Sequence, residues 1–95
     1  MGGMNAVHAF CMEDVHQLKS FLAVAENLSF TRAAESLFLT QSAVSHQIAD
    51  LERSLGVELF IRHGRTIELT AAGRVLVERA RRVFAELADA QDLVD

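Results

Sequence analysis

Apolar positions along this chain fall into four runs of helical period and one run with strand character. Between Thr40 and Gly56, Val44, Ile48, Leu51 and Leu55 recur at spacings of four, three and four. At about 100° per residue they occupy one narrow sector of a helix. Opposite them stand Ser42, His46, Ala49 and Arg53, with Ser45 at the border. Thr40 suits the N-cap and Gly56 the residue just past the end, so the pattern predicts a helix over 41–55. Upstream, Phe30, Ala33, Ala34 and Leu37 predict a short helix joined to it by a tight turn. Leu18, Phe21, Leu22 and Ala25, spaced three, one and three, predict a first helix before that.

Past Gly56 the texture changes. Leu59 to Leu69 carries β-branched and aromatic residues on both sides of Gly64, which predicts a small hairpin with Arg62 and Arg65 flanking its tip. Thr70 then caps a long helix over 71–94, with no proline and no glycine after Gly73. Gly73, Leu76, Ala80, Val83, Leu87, Ala90 and Val94 alternate spacings of three and four, a heptad seam of about three repeats. Twenty-four residues span roughly 36 Å at 1.5 Å each. That is too long to bury its seam on so small a domain, so the seam is expected to pair with the same helix of a second chain. Val77 and Phe84 form a second apolar pair suited to docking the helix on its own domain. The predicted core is completed by Leu59, Phe60, Ile67 and Leu69 beneath the hairpin.

This order of elements gives the polar side of the 41–55 helix a meaning. Ser, Gln and His both donate and accept hydrogen bonds, so they address base edges and phosphates alike. Ala49 keeps that face slim, and Gln41 and Ser42 sit in a first turn whose free amides favour phosphate. A hairpin placed directly after such a helix and tipped with arginines is a wing, able to reach phosphates or a narrow minor groove. The fold class expected is mainly α: a winged helix-turn-helix, three helices plus a β-hairpin wing, followed by a long dimerisation helix. The division expected is an extension over residues 1–11, the winged domain over 12–69 and the linker helix over 70–95.

Several stretches in order carry a family resemblance: Leu18-Lys19-Ser20-Phe21-Leu22-Ala23-Val24-Ala25-Glu26, Ser29-Phe30-Thr31-Arg32-Ala33-Ala34, Gln41-Ser42-Ala43-Val44-Ser45-His46-Gln47-Ile48 with Leu51-Glu52, Leu55-Gly56-Val57-Glu58-Leu59-Phe60, and Arg62-x-x-Arg65 leading to Leu69-Thr70-Ala71-Ala72-Gly73. From about Met12 onward the chain resembles the N-terminal DNA-binding domain of LysR-type transcriptional regulators. The resemblance implies sequence-specific binding of double-stranded DNA at an imperfect inverted repeat, by a homodimer whose linker helices pair antiparallel. It places the helix over about 41–55 in the major groove and the wing over about 60–68 on backbone or minor groove. Carried over by position, Gln41, Ser42, Ser45 and His46 would meet bases or nearby phosphates, Thr31 would touch the DNA backbone, and Arg62 and Arg65 would serve the wing. Arg32 beside Thr31, and Thr40 and Arg53 at the two ends of the 41–55 helix, are further expected DNA-binding residues. Leu76, Ala80, Val83, Leu87, Ala90 and Val94 would hold the dimer.

Two positions depart from the family pattern. Ser42 stands where proline is frequent, and the first helical turn accepts either. His46 stands where arginine is frequent, and an imidazole carries full charge only below its reference pKa of about 6.5. DNA binding is therefore expected to strengthen as pH falls from 8 to 6. Members of the family at full length carry an effector-binding domain beyond the linker helix, and these 95 residues are expected to hold no small-molecule effector site.

Charge modifies this picture. The net charge is −4, unusual for a DNA-binding domain, but residues 40–82 carry seven arginines against five acids. Glu86, Asp89, Asp92 and Asp95 make the far end of the long helix acidic, and antiparallel pairing would set them near the partner's Arg79, Arg81 and Arg82. A single cysteine, Cys11, excludes an internal disulfide and a cysteine-based zinc site. His8, His16, His46 and His63 have no metal-ligand spacing, and no nucleophile–base order or phosphate loop is present, so neither metal, cofactor nor enzymatic activity is expected. The first eleven residues lack the basic start of a secretory signal, and no apolar run nears the ~20 residues of a membrane span, so a cytoplasmic, nucleoid-associated protein is expected. The competing reading is a dimeric winged-helix module that binds protein. Against it, the face of Ser42, Ser45 and His46 lacks the aromatic anchors that protein interfaces favour.

Overall fold

The computed structural model describes residues 12–94, with side chains over 13–90. The expected extension over residues 1–11, with Cys11, lies outside the described residues, as do the side chains of Asp92 and Val94 and all of Asp95. Helix α1 spans Met12–Asn27, α2 Phe30–Leu37 and α3 Gln41–Leu55. Strands β1 (Phe60–His63) and β2 (Thr66–Leu69) follow, then helix α4 (Ala71–Val94). The mainly helical winged helix-turn-helix read from the sequence is the fold observed.

Each boundary has a local cause. Ser29 accepts from the Arg32 amide at 3.1 Å and starts α2. Thr40 accepts from the Ala43 amide at 3.1 Å and starts α3. Thr70 accepts from the Gly73 amide at 3.0 Å and starts α4, while its own hydroxyl donates to the Glu58 carbonyl at 2.6 Å. These caps satisfy amides that have no partner within the helix. Helix α2 ends on Phe38 with φ +58, and α3 ends on Gly56 with φ +72. In both, the cap amide bonds back to a carbonyl of the last turn. The hairpin is antiparallel, pairing Phe60 with Leu69 and His63 with Thr66. Of its two turn residues only Gly64 has positive φ, at +61, the pattern of a II′ turn whose twist matches the strands.

The core draws on every element. Phe21 and Val24 of α1, Ala33 of α2, and Val44 and Ile48 of α3 are at most 2 % exposed. Leu59 and Phe60 seal the wing side, and Val77 brings α4 onto the same cluster. The Phe60 ring lies 5.5 Å from Phe21 and 6.0 Å, edge-on, from Phe30, a tilted trio that pins the wing to α1 and α2. Leu22, Ala25, Leu37, Ile67 and Leu69, expected in the core, pack at its margin half-buried; Leu18 is half-buried.

Two expectations are corrected. Leu55 shares a sector with Val44, Ile48 and Leu51, yet it is half exposed, because the last turn of α3 runs past the edge of the core. Ala80 was assigned to the pairing seam, but it is buried to 1 % exposure within the single chain and has no surface left to offer a partner. Gly73 is likewise buried, against Leu59 and Leu69. The first turns of α4 therefore dock on their own domain through Gly73, Val77 and Ala80. Along the rest of the seam Leu76 and Val83 are half-buried, and Leu87 and Ala90 are exposed.

Candidate nucleic-acid interface

The tight turn between α2 and α3 brings the two helix N-termini together. Thr31, in the first turn of α2, donates its hydroxyl to Gln41 Oε1 at 3.2 Å, across to the first residue of α3. The wing closes on the same place. The Arg62 guanidinium lies 4.4 Å above the Phe30 ring, a cation–π stack that holds the arginine beside the start of α2. Thr31, Gln41, Arg62, Gly64 and Arg65 line one shallow concavity between the wing and the two helix starts. Four residues singled out from the sequence thus converge from three elements. The concavity offers two guanidinium groups, a threonine hydroxyl, a glutamine amide and the positive ends of two helices, which is the chemistry of a phosphate seat. Arg32, next to Thr31, is exposed but does not line the concavity.

Along α3 the remaining candidates share the exposed flank. Ser42, His46 and Arg53 are exposed and Ser45 is half-buried. Thr40 differs from the others, since its oxygen serves the helix as cap. The opposite face is held by Val44, Ile48 and Leu51 in the core, and by Gln47, whose Oε1 accepts from the buried Ser20 hydroxyl of α1. That bond and the three buried apolar side chains together set which residues of α3 face outward.

One residue of this flank escaped the sequence analysis. Asp50 lies between His46 and Arg53, with Oδ2 3.3 Å from His46 Nε2 and Oδ1 2.6 Å from Arg53 Nη1. The spacing was legible, because residues three and four apart on a helix are neighbours. Arg53 is therefore anchored on a carboxylate of its own helix. A second unforeseen residue is Glu52, whose Oε2 accepts from the Leu59 amide at 2.7 Å and ties α3 to the start of the wing. Across the hairpin, His63 Nε2 meets Glu68 Oε2 at 2.7 Å. Among the described residues no group of three His, Cys, Asp or Glu is placed to hold a metal ion, and no helix is long and apolar enough to cross a membrane.

Three helices, a capped helix with an outward polar face, and an arginine-tipped wing beside its N-terminus define a winged helix-turn-helix DNA-binding domain of the kind found in transcriptional regulators. The chain belongs to the bacterial regulatory helix-turn-helix proteins of the lysR family, whose model matches residues 15–74. It is 53 % identical over 76 residues to an uncharacterized HTH-type transcriptional regulator of Azotobacter vinelandii, covering 80 % of this chain and 53 % of that one. It is also 53 % identical over 72 residues to the HTH-type transcriptional regulator HdfR of Escherichia coli, covering 76 % of this chain and 26 % of HdfR. The chain thus spans about half of one relative and a quarter of the other. Among solved structures, the CbnR DNA-binding domain in complex with DNA superposes with a TM-score of 0.80 at 41 % identity, covering 84 % of this chain and 92 % of that one. The BenM DNA-binding domain in complex with catB site 1 DNA gives 0.81 at 31 % identity, covering 84 % and 89 %.

Proposed function

We propose that this chain reads double-stranded DNA as a homodimer, with α3 in the major groove and the wing on the flanking backbone or minor groove. The observation that carries this reading is the convergence of Thr31, Gln41, Arg62 and Arg65 on one concavity at the start of α3. A phosphate seated there fixes the depth and register at which α3 enters the groove. Gln41, Ser42, Ser45 and His46 then stand at the groove end of the helix, where glutamine bonds adenine bidentately and serine addresses either partner of a pair. Thr31 and Arg32 grip the backbone beside them. The dimer forms through antiparallel α4 helices, and its two-fold axis makes the operator an imperfect inverted repeat. The protein acts in the cytoplasm on nucleoid DNA as a transcriptional regulator.

Selection of bound duplexes from a random pool tests the reading. The expected product is an inverted repeat with half-site centres separated by about one helical turn, or a multiple of it. Enrichment of no sequence by a folded, dimeric protein overturns it.

A further inference from the structure

The hydrogen bond between Thr31 and Gln41 lies where the start of one helix meets the start of the next. Thr31 is the second residue of α2 and Gln41 the first of α3, and both are exposed. The Thr31 hydroxyl donates to Gln41 Oε1 at 3.2 Å. A glutamine amide has an acceptor end and a donor end of nearly the same shape, so an unheld glutamine can offer a base either one. Two features hold this amide one way round. The first is the bond from Thr31, whose β-branched side chain has few rotamers and whose helix turn is fixed by the Ser29 cap. The second is the concavity that both residues line. The Arg62 and Arg65 guanidinium groups and the amides of two helix starts supply it with donors only. The amide oxygen suits that side, whereas the amide nitrogen turned there would meet donors.

We propose that Thr31 is a positioning residue that sets base specificity through Gln41, by holding its amide in the sense that matches adenine. The proposal rests on the reading above, in which α3 enters the major groove, and assigns both the base and the residue that enforces it. A carbonyl oxygen accepts twice. One lone pair of Oε1 is taken by Thr31, and the other accepts from adenine N6 while Nε2 donates to N7. Guanine presents acceptors at both places, so the held oxygen faces O6 and is repelled. An amide free to turn would donate to O6 instead and lose much of that discrimination. The Thr31 hydroxyl has a single proton, committed to Gln41. The grip of Thr31 on the DNA backbone therefore falls to its main-chain amide, in a first turn that leaves such groups without helical partners. Because the bond is internal to the chain, the glutamine is ordered before it meets a base, and less freedom is lost on binding.

Competition among duplexes tests this. Selection from a random pool gives the operator, and Gln41→Ala marks the position that Gln41 reads by losing preference there. Adenine is expected at that position, favoured over guanine. Thr31→Val removes the hydroxyl at nearly equal size from an exposed site. It is expected to lower the adenine-over-guanine ratio at the marked position by about five-fold or more and to leave the other positions as they were. Thr31→Ser keeps the hydroxyl and is expected to keep the ratio. With Gln41→Ala already in place, Thr31→Val is expected to change nothing at that position. Equal weakening of every sequence by Thr31→Val would assign the hydroxyl to the backbone and overturn the proposal while the DNA reading stands. An unchanged ratio, a base other than adenine at the marked position, or a Gln41→Ala variant that relaxes no position overturns it too. Enrichment of no sequence by the unsubstituted protein overturns the DNA reading itself.

Discussion

At the scale of single residues, the exposed flank of α3 sets a negative charge among its hydrogen-bond donors. Its histidine and its arginine share one carboxylate, Asp50. Removing that negative charge should let Arg53 reach a phosphate. Asp50→Asn is expected to tighten binding to all sequences and to steepen the dependence of log K on log salt by about 0.9 per added phosphate contact. A salt titration on operator and random duplexes reads this directly. Gln41→Ala should instead cost about 1–3 kcal/mol at one base position per half-site and little on random DNA. Equal loss on every sequence would reassign Gln41 to the backbone. The candidate residues were legible because helical periodicity sorts side chains by face. Asp50 was not legible as part of the site, because it offers DNA no donor and its effect lies in what it takes from His46 and Arg53.

At the scale of elements, the wing and the long helix are joined at a contact with no spare room. A methyl group on Gly73 would overlap the Leu59 carbonyl oxygen and stand 2.8 Å from a Leu69 methyl. Gly73→Ala is expected to destabilise the fold by about 1–3 kcal/mol, as overpacking does, and denaturant unfolding measures it. Phe60→Ala removes the ring that bridges Phe21 and Phe30 and should cost about 3–5 kcal/mol by the same measurement. The caps at Thr40, Thr70 and Gly56 were readable because each residue type fits one place in helix chemistry. Ser29 follows the same logic before α2. The fate of Ala80 was not readable. A heptad repeat identifies a continuous apolar stripe but not which neighbour covers each part of it. Here the domain itself takes the first turns, and the exposed part of the stripe begins beyond them. Leu55 illustrates the converse, a position with core periodicity whose helix outlasts the core.

At the scale of the whole molecule, charge is distributed rather than abundant. With a net charge of −4, random DNA should be bound weakly, and most of the discrimination must come from contacts at the start of α3. Glu86 and Asp89 toward the far end of α4 add nothing to DNA affinity; in the proposed antiparallel dimer they would meet the partner's arginines. The hydrogen bond from the Leu59 amide to Glu52 has a consequence at this scale too. In the proposed complex it yokes the helix that enters the major groove to the hairpin on the flanking backbone or minor groove, so the two probes form a gauge of fixed width. Such a gauge measures distance along the duplex as well as sequence. A half-site lengthened by a single base pair between the two contacts presents every correct letter, yet it lies out of reach of one probe.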